Sequence, residues 1–147
     1  MIGPMSIKVV FAAESTATGG GRDGHVRSAS GRIDMDTRPP RELGGTGDGT
    51  NPEELFSAAY AACFLGALRL VARRSAVLLD DSTDVTVEAA LGKDLATEQF
   101  GLTGTITGHL PGLAQTVAED LMAEAHEVCP YSKATRGNVD FAVVARV

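Results

Sequence analysis

Large aromatic anchors are nearly missing from this chain: it has no tryptophan, and aromatics make up 5% of its 147 residues. Its core must therefore be filled by small residues packed closely, and alanine and valine are plentiful. Basic charge is also short, with 13 Lys and Arg against 19 Asp and Glu, a formal net charge of -6 and a pI near 5.0. That balance excludes a nucleic-acid surface, which needs a basic face to neutralise phosphates. The nearest basic patch, Arg69, Arg73 and Arg74, has the helical spacing of a solvated helix end. Long apolar runs are missing too. The longest, Ala58 to Leu68, is closed by Arg69 and is short for a bilayer span, so no membrane is expected. The start, Met1 to Met5, has neither a basic n-region nor an apolar stretch of signal length, so the expected location is cytoplasmic. Only two cysteines occur, Cys63 and Cys129. In the cytosol such a pair is more often transient and chemical than a permanent staple.

What is present is a globular composition, 44% hydrophobic and 22% charged, with no internal repeat and no reason to cut the chain. Residues 1–147 are read as a single domain. Ile7 to Ala13 reads as a strand, and the Gly-rich stretch from Ser15 to Gly24 as loop. Val26 to Met35 reads as a second strand or hairpin, followed by a long irregular connection through Pro39, Pro40 and Gly44 to Gly49. Asn51, Pro52 and Glu54 form the best helix start in the sequence, a capping box with proline at the first helical position. That helix is expected to run to Arg74. Its middle, Ala58 to Leu68, is apolar on every side, as in a helix buried all round. Strands follow at Asp84 to Leu91 and Phe100 to Leu110. An amphipathic helix from Leu113 to Cys129, inward at Leu113, Val117, Leu121, Ala125 and Val128, is ended by Pro130. Val139 to Val147 alternates as a last strand. The order makes an α+β fold, and a helix apolar all round asks for more cover than one small sheet provides, hence a partner chain.

Cys63 lies in mid-helix, where the helix dipole does little to ionise it and burial raises its pKa; by position alone it is a small core residue. A reactive role would require a cation from elsewhere and a second thiol. Cys129 ends the other helix, and the spacing of the two cysteines says nothing about whether they pair. If they do meet, the pair has the makings of a peroxidatic and resolving couple, thiolate to sulfenic acid to disulfide. Arg22, flanked by glycines, is the most suggestive cation, though a solvated loop arginine is the commoner fate; Arg38 and Arg41 are others. Glu53 could hold a guanidinium by two parallel hydrogen bonds, or be a plain first-turn acid favourable to the dipole. Gly19-x-Gly21-x-x-Gly24 matches the dinucleotide fingerprint literally, but no helix opens at its third glycine. His25, His109 and His126 with the cysteines show no metal-ligand spacing, so no metal and no cofactor are expected. A nucleophile elbow is absent.

Taken together, Ala17 to Gly24, Glu42-Leu43-Gly44-Gly45, Thr50 to Phe64, Cys129-Pro130-Tyr131-Ser132 and Asn138-Val139 resemble the OsmC/Ohr family. Phe56 and Tyr60 are more like its organic hydroperoxide resistance (Ohr) branch than its osmotically inducible branch. The resemblance covers nearly the whole chain. It implies an intertwined α+β homodimer with two buried central helices packed between antiparallel sheets and active sites at the dimer interface. By the same resemblance Cys63 is the peroxidatic cysteine, Cys129 the resolving one, and Arg22 and Glu53 keep the thiolate active. Phe64, Tyr131 and Tyr60 are pocket candidates. The implied substrates are alkyl or fatty-acid hydroperoxides, and the implied reductant is a lipoylated protein or another dithiol. Three other readings stay open: an OsmC-branch peroxidase with a different reductant, a non-enzymatic thiol redox sensor, and an inert dimer with two core cysteines.

Overall fold

The computed structural model describes Gly3 and residues 5–147, so the start read above for a targeting signal falls partly outside the described residues. The chain forms two compact units, Met1–Pro52 and Glu53–Val147.

The first unit is an antiparallel sheet of three strands, β1 (Ser15–Gly19), β2 (Gly24–Ser28) and β3 (Asp34–Thr37), in the order β1-β2-β3. This corrects the sequence reading at its first two elements. Residues 7–13 form no strand, and among the described residues no strand pairs with them; Val10 and Phe11 are 93% and 81% exposed. The stretch read as loop becomes a hairpin instead. Gly19 and Gly21 take positive φ angles of 66° and 74°, and the tight turn registers Gly19 opposite Gly24. Gly24 is obligatory, since a Cβ there would stand 2.1 Å from the Thr18 carbonyl oxygen. A short 3₁₀ turn, Arg41–Leu43, lies within the connection that follows.

The second unit begins with α1 (Pro52–Arg74), which carries Glu53 and Glu54 in its first turn and Arg73 and Arg74 in its last, both favourable to the dipole. By length and composition α1 is apolar enough to cross a membrane. Yet Tyr60, Phe64, Leu68 and Val71 are completely buried in the core, each contributing about 1.5–3 kcal/mol. The opposite face, Ala58, Ala62 and Gly66, is exposed, so one chain does not bury this helix all round as its composition suggested.

The strands β4 (Asp84–Lys93) and β5 (Phe100–His109) pair antiparallel, and β6 (Phe141–Arg146) joins β5 in parallel. Phe141, Val143 and Ala145 of β6 turn inward in alternation. Between β5 and β6 come α2 (Gln115–Val128) and α3 (Pro130–Thr135). α2 buries Ala118, Leu121, Met122 and Ala125, while Val117, read as inward, is 37% exposed. The stripe is displaced because Met122 packs over Gly108 of β5, where a Cβ would come within 2.3 Å of the Met122 sulfur. Pro130 ends α2, as its missing N–H requires, and also opens α3, where a first-turn proline needs no donor.

Candidate active site

Within the second unit, α1 and the α2–α3 corner bring the two cysteines together. Cys63, half-buried in mid-α1, has its sulfur 3.6 Å from that of Cys129, which is fully buried between α2 and α3. Both are free thiols, and the Cys129 S–H donates to the Cys63 sulfur. A disulfide needs a sulfur separation of about 2.05 Å, so closure calls for only a small approach. Burial pushes the Cys63 thiol up from its ordinary value, and the neighbouring Cys129 thiol adds to that, while a hydrogen bond from the Tyr131 backbone N–H pulls it down.

The aromatic side chains around this pair centre on Tyr60, one turn before Cys63. Its ring packs edge-on against Phe56 at 5.9 Å and Tyr131 at 5.8 Å, and against Phe141 at 5.1 Å. Tyr60 and Phe64 are completely buried, whereas Tyr131 keeps 40% of its surface exposed. The Tyr60 hydroxyl is hydrogen-bonded to Ser132 Oγ at 2.9 Å and Thr135 Oγ1 at 3.1 Å. On its other side Ser132 Oγ lies 2.8 Å from His126 Nδ1. Burial lowers the His126 pKa, with the Arg136 charge acting in the same direction. Ser132 and Thr135 were given no role by the sequence, although Ser132 stands in the Cys129-Pro130-Tyr131-Ser132 motif. His126 enters the sequence reading only as a possible metal ligand. Among the described residues no group of three or more His, Cys, Asp or Glu side chains is placed to hold a metal.

Arg22 lies in the β1–β2 turn of the first unit, its residue exposed, and Glu53 in the first turn of α1. The turn that carries Arg22 is clamped by buried Thr37. The Thr37 hydroxyl donates to the Gly21 carbonyl at 2.6 Å and accepts from the Gly24 N–H at 2.9 Å. Arg38, another cation candidate, is engaged in its own sheet: Nη1 donates to the carbonyls of Gly24 (2.9 Å) and Thr37 (2.6 Å). Its guanidinium also lies 3.7 Å from both Asp23 and Asp36. Arg41 Nε donates to the Thr46 carbonyl at 3.4 Å.

Comparison with known proteins identifies the family of this chain. The family model described as OsmC-like protein matches residues 45–144. The chain is 43% identical to the organic hydroperoxide resistance protein of Xanthomonas axonopodis pv. citri (strain 306), over 90% of this chain and 92% of that protein. Against the organic hydroperoxide resistance protein OhrB of Bacillus subtilis (strain 168) the identity is 43%, over 89% and 94%. The crystal structure of an organic hydroperoxide resistance protein from Legionella pneumophila superposes with a TM-score of 0.88 at 45% identity, covering 95% of this chain and all of that one. With a matching family model, close relatives along nine-tenths of its length and the same α+β fold, the chain belongs to the OsmC family, on its organic hydroperoxide resistance branch.

Proposed function

We propose that this protein is a cysteine-dependent peroxidase that reduces organic hydroperoxides to alcohols. The observation that carries the reading is the pair of free thiols, 3.6 Å apart, in a chain whose relatives are named for organic hydroperoxide resistance. Cys63, as thiolate, attacks the terminal peroxide oxygen. The O–O bond breaks, the alkoxide leaves as alcohol on taking a proton, and the sulfur is oxidised to sulfenic acid. Cys129 then attacks that sulfur; the S–S bond forms, the S–O bond breaks and water departs with the Cys129 proton. A dithiol of the lipoyl type returns the disulfide to two thiols by exchange. Cys129 suits the resolving role because it is the less accessible thiol, and a peroxide in solution meets Cys63 first.

A buried thiol needs a positive charge to ionise, and Arg22 is assigned that part, with Glu53 orienting its guanidinium. Exposed Tyr131, packed edge-on against buried Tyr60, is assigned the outer wall of an apolar substrate pocket, with Tyr60 and Phe64 behind it. Such surroundings favour an alkyl peroxide over hydrogen peroxide. Two features support a homodimer: the exposed apolar side chains of Ile7, Val9, Val10 and Phe11, and the small exposed face of α1 at Ala58, Ala62 and Gly66. The relatives match over both compact units, which supports one functional domain across residues 1–147. A soluble, cytoplasmic location fits a transient dithiol couple.

The test is consumption of tert-butyl hydroperoxide with reduced lipoamide, and with thioredoxin in parallel, by the wild type, Cys63→Ser and Cys129→Ser. Many turnovers in the wild type, none in Cys63→Ser and a stalled, overoxidised Cys129→Ser are expected. A single oxidation per chain with either reductant would instead mark a redox sensor.

A further inference from the structure

Disulfide closure competes with a second peroxide. After the first step Cys63 is a sulfenic acid, and another hydroperoxide can oxidise it to the sulfinic acid, which is a dead end. The outcome depends on how often the Cys129 sulfur is within reach. Among the described residues the Cys129 side chain hydrogen-bonds Cys63 alone, and it sits at the joint between α2 and the six-residue α3. A helix so short has little intrinsic stability, so its position must be fixed by tertiary contacts.

Ser132 supplies them. Its side chain is completely buried, and its one hydroxyl joins three helices: Tyr60 of α1 at 2.9 Å, His126 of α2 at 2.8 Å and its own α3. The hydrogen-bond count closes. With neutral His126 carrying its proton on Nδ1, Nδ1–H donates to Ser132 Oγ, Ser132 O–H donates to the Tyr60 hydroxyl oxygen, and Tyr60 O–H donates to Thr135 Oγ1. Thr135 Oγ1 donates to the Ser132 carbonyl at 3.3 Å, and Arg136 Nη1 donates to the His126 carbonyl at 2.8 Å. The placement of these anchors matters. Tyr60 is one helical turn from Cys63 on α1, and both His126 and Ser132 are three residues from Cys129. The network therefore ties the backbone on both sides of Cys129 to the helix that carries Cys63. Tyr60 and Ser132 are completely buried, where water cannot replace a lost partner, while His126 is half-buried, so the tie is stiffest at the Tyr60–Ser132 bond.

We infer that Ser132 is a positioning residue for disulfide closure: by holding Tyr60 and His126 to α3, it keeps the Cys129 sulfur within reach of oxidised Cys63. The inference rests on the peroxidase reading above. Ser132 Oγ is engaged by Tyr60 and His126, and it takes no part in the attack on the peroxide.

The experiment is a partition measurement. Reduced wild type, Ser132→Ala, Ser132→Thr and His126→Ala are mixed with excess tert-butyl hydroperoxide. Alcohol release gives the first step, and intact mass gives the shares of disulfide and of Cys63 sulfinic acid. Ser132→Ala is expected to keep the first-step rate within about twofold while raising the sulfinic share at least about fivefold, the scale of one lost buried hydrogen bond. Ser132→Thr, which retains a hydroxyl, restores the wild-type share. His126→Ala leaves the Tyr60–Ser132 bond in place and gives an intermediate share; it carries the test if Ser132→Ala does not fold. An unchanged partition in Ser132→Ala and His126→Ala, or a loss of both steps in parallel, overturns the positioning role while leaving the peroxidase intact. No alcohol from the wild type overturns the peroxidase reading, and with it the step that Ser132 would assist.

Discussion

Thr37→Val removes one hydroxyl from beneath the turn that carries Arg22 and keeps the branched shape that fills its site. Thr37 is 3% exposed, so solvent has almost no access to the groups left behind. The hydroxyl makes two bonds, to the Gly21 carbonyl at 2.6 Å and from the Gly24 N–H at 2.9 Å. A net bond contributes about 0.5–1.5 kcal/mol, and a buried group left unsatisfied costs about 1–3 kcal/mol. The expected loss is therefore about 1–3 kcal/mol in a urea unfolding series at fixed protein concentration, which keeps any association constant. A second readout follows from the assignment of Arg22. On the proposed role, a loosened turn would hold Arg22 less firmly and the Cys63 pKa would rise. The pH at which Cys63 becomes half-alkylated by iodoacetamide should move up, by one unit for each ~1.4 kcal/mol of lost interaction with the thiolate. A stability change below about 0.3 kcal/mol would show that the hydroxyl's bonds are readily replaced, and the clamp argument would be wrong. A normal stability loss with an unmoved alkylation profile would separate the turn from the thiolate and refute the role given to Arg22.

Other consequences are open to measurement. Gly24→Ala would place a Cβ 2.1 Å from the Thr18 carbonyl oxygen, so the hairpin must deform; a loss of about 2 kcal/mol or more by urea unfolding is expected, and near-neutrality would contradict the turn geometry. Tyr60→Phe keeps the ring packing but deletes the bonds to Ser132 and Thr135, costing about 1–2 kcal/mol; a double-mutant cycle with Ser132→Ala should show coupling rather than additivity. His25 hydrogen-bonds Asp36 at 2.8 Å and Asp34 at 2.6 Å, and these bonds raise its pKa above the ordinary 6.5. A raised histidine pKa stabilises the fold below the unfolded value and loses that contribution as pH climbs through the folded one. An NMR titration should therefore place the His25 midpoint above 6.5, with Asp36→Asn bringing it down; a midpoint at or below 6.5 would contradict the pairing.

The elements most legible in the sequence were those with local signals. α1 announced itself through Asn51, Pro52 and Glu54, β4 and β5 as strand runs on either side of a turn region, and β6 through alternation. The hairpin did not, because its strand residues Ser15 to Gly19 have little strand propensity, and what makes them a strand is a turn closed by positive-φ glycines. Ile7 to Ala13 failed for the opposite reason: the apolar pattern is strand-like, but pairing is a property of the neighbour, and the described residues supply none. At the site, the cysteines were legible as residues and their proximity was not, since only the packing of α1 against the α2–α3 corner brings the sulfurs to 3.6 Å. The Tyr60–Ser132–His126 chain was invisible for the same reason: three ordinary polar residues on three helices become a network only when buried together.

The central claim is that Cys63 takes the peroxide oxygen and Cys129 closes the disulfide within one chain. The most direct measurement adds one equivalent of tert-butyl hydroperoxide to the fully reduced protein and reads alcohol, intact mass and the cross-linked peptide together. The account requires one alcohol per chain, a loss of two hydrogens from the monomer mass and a single cross-link joining Cys63 to Cys129. An unchanged mass, a disulfide between chains, or alcohol formed equally well by Cys63→Ser would contradict it.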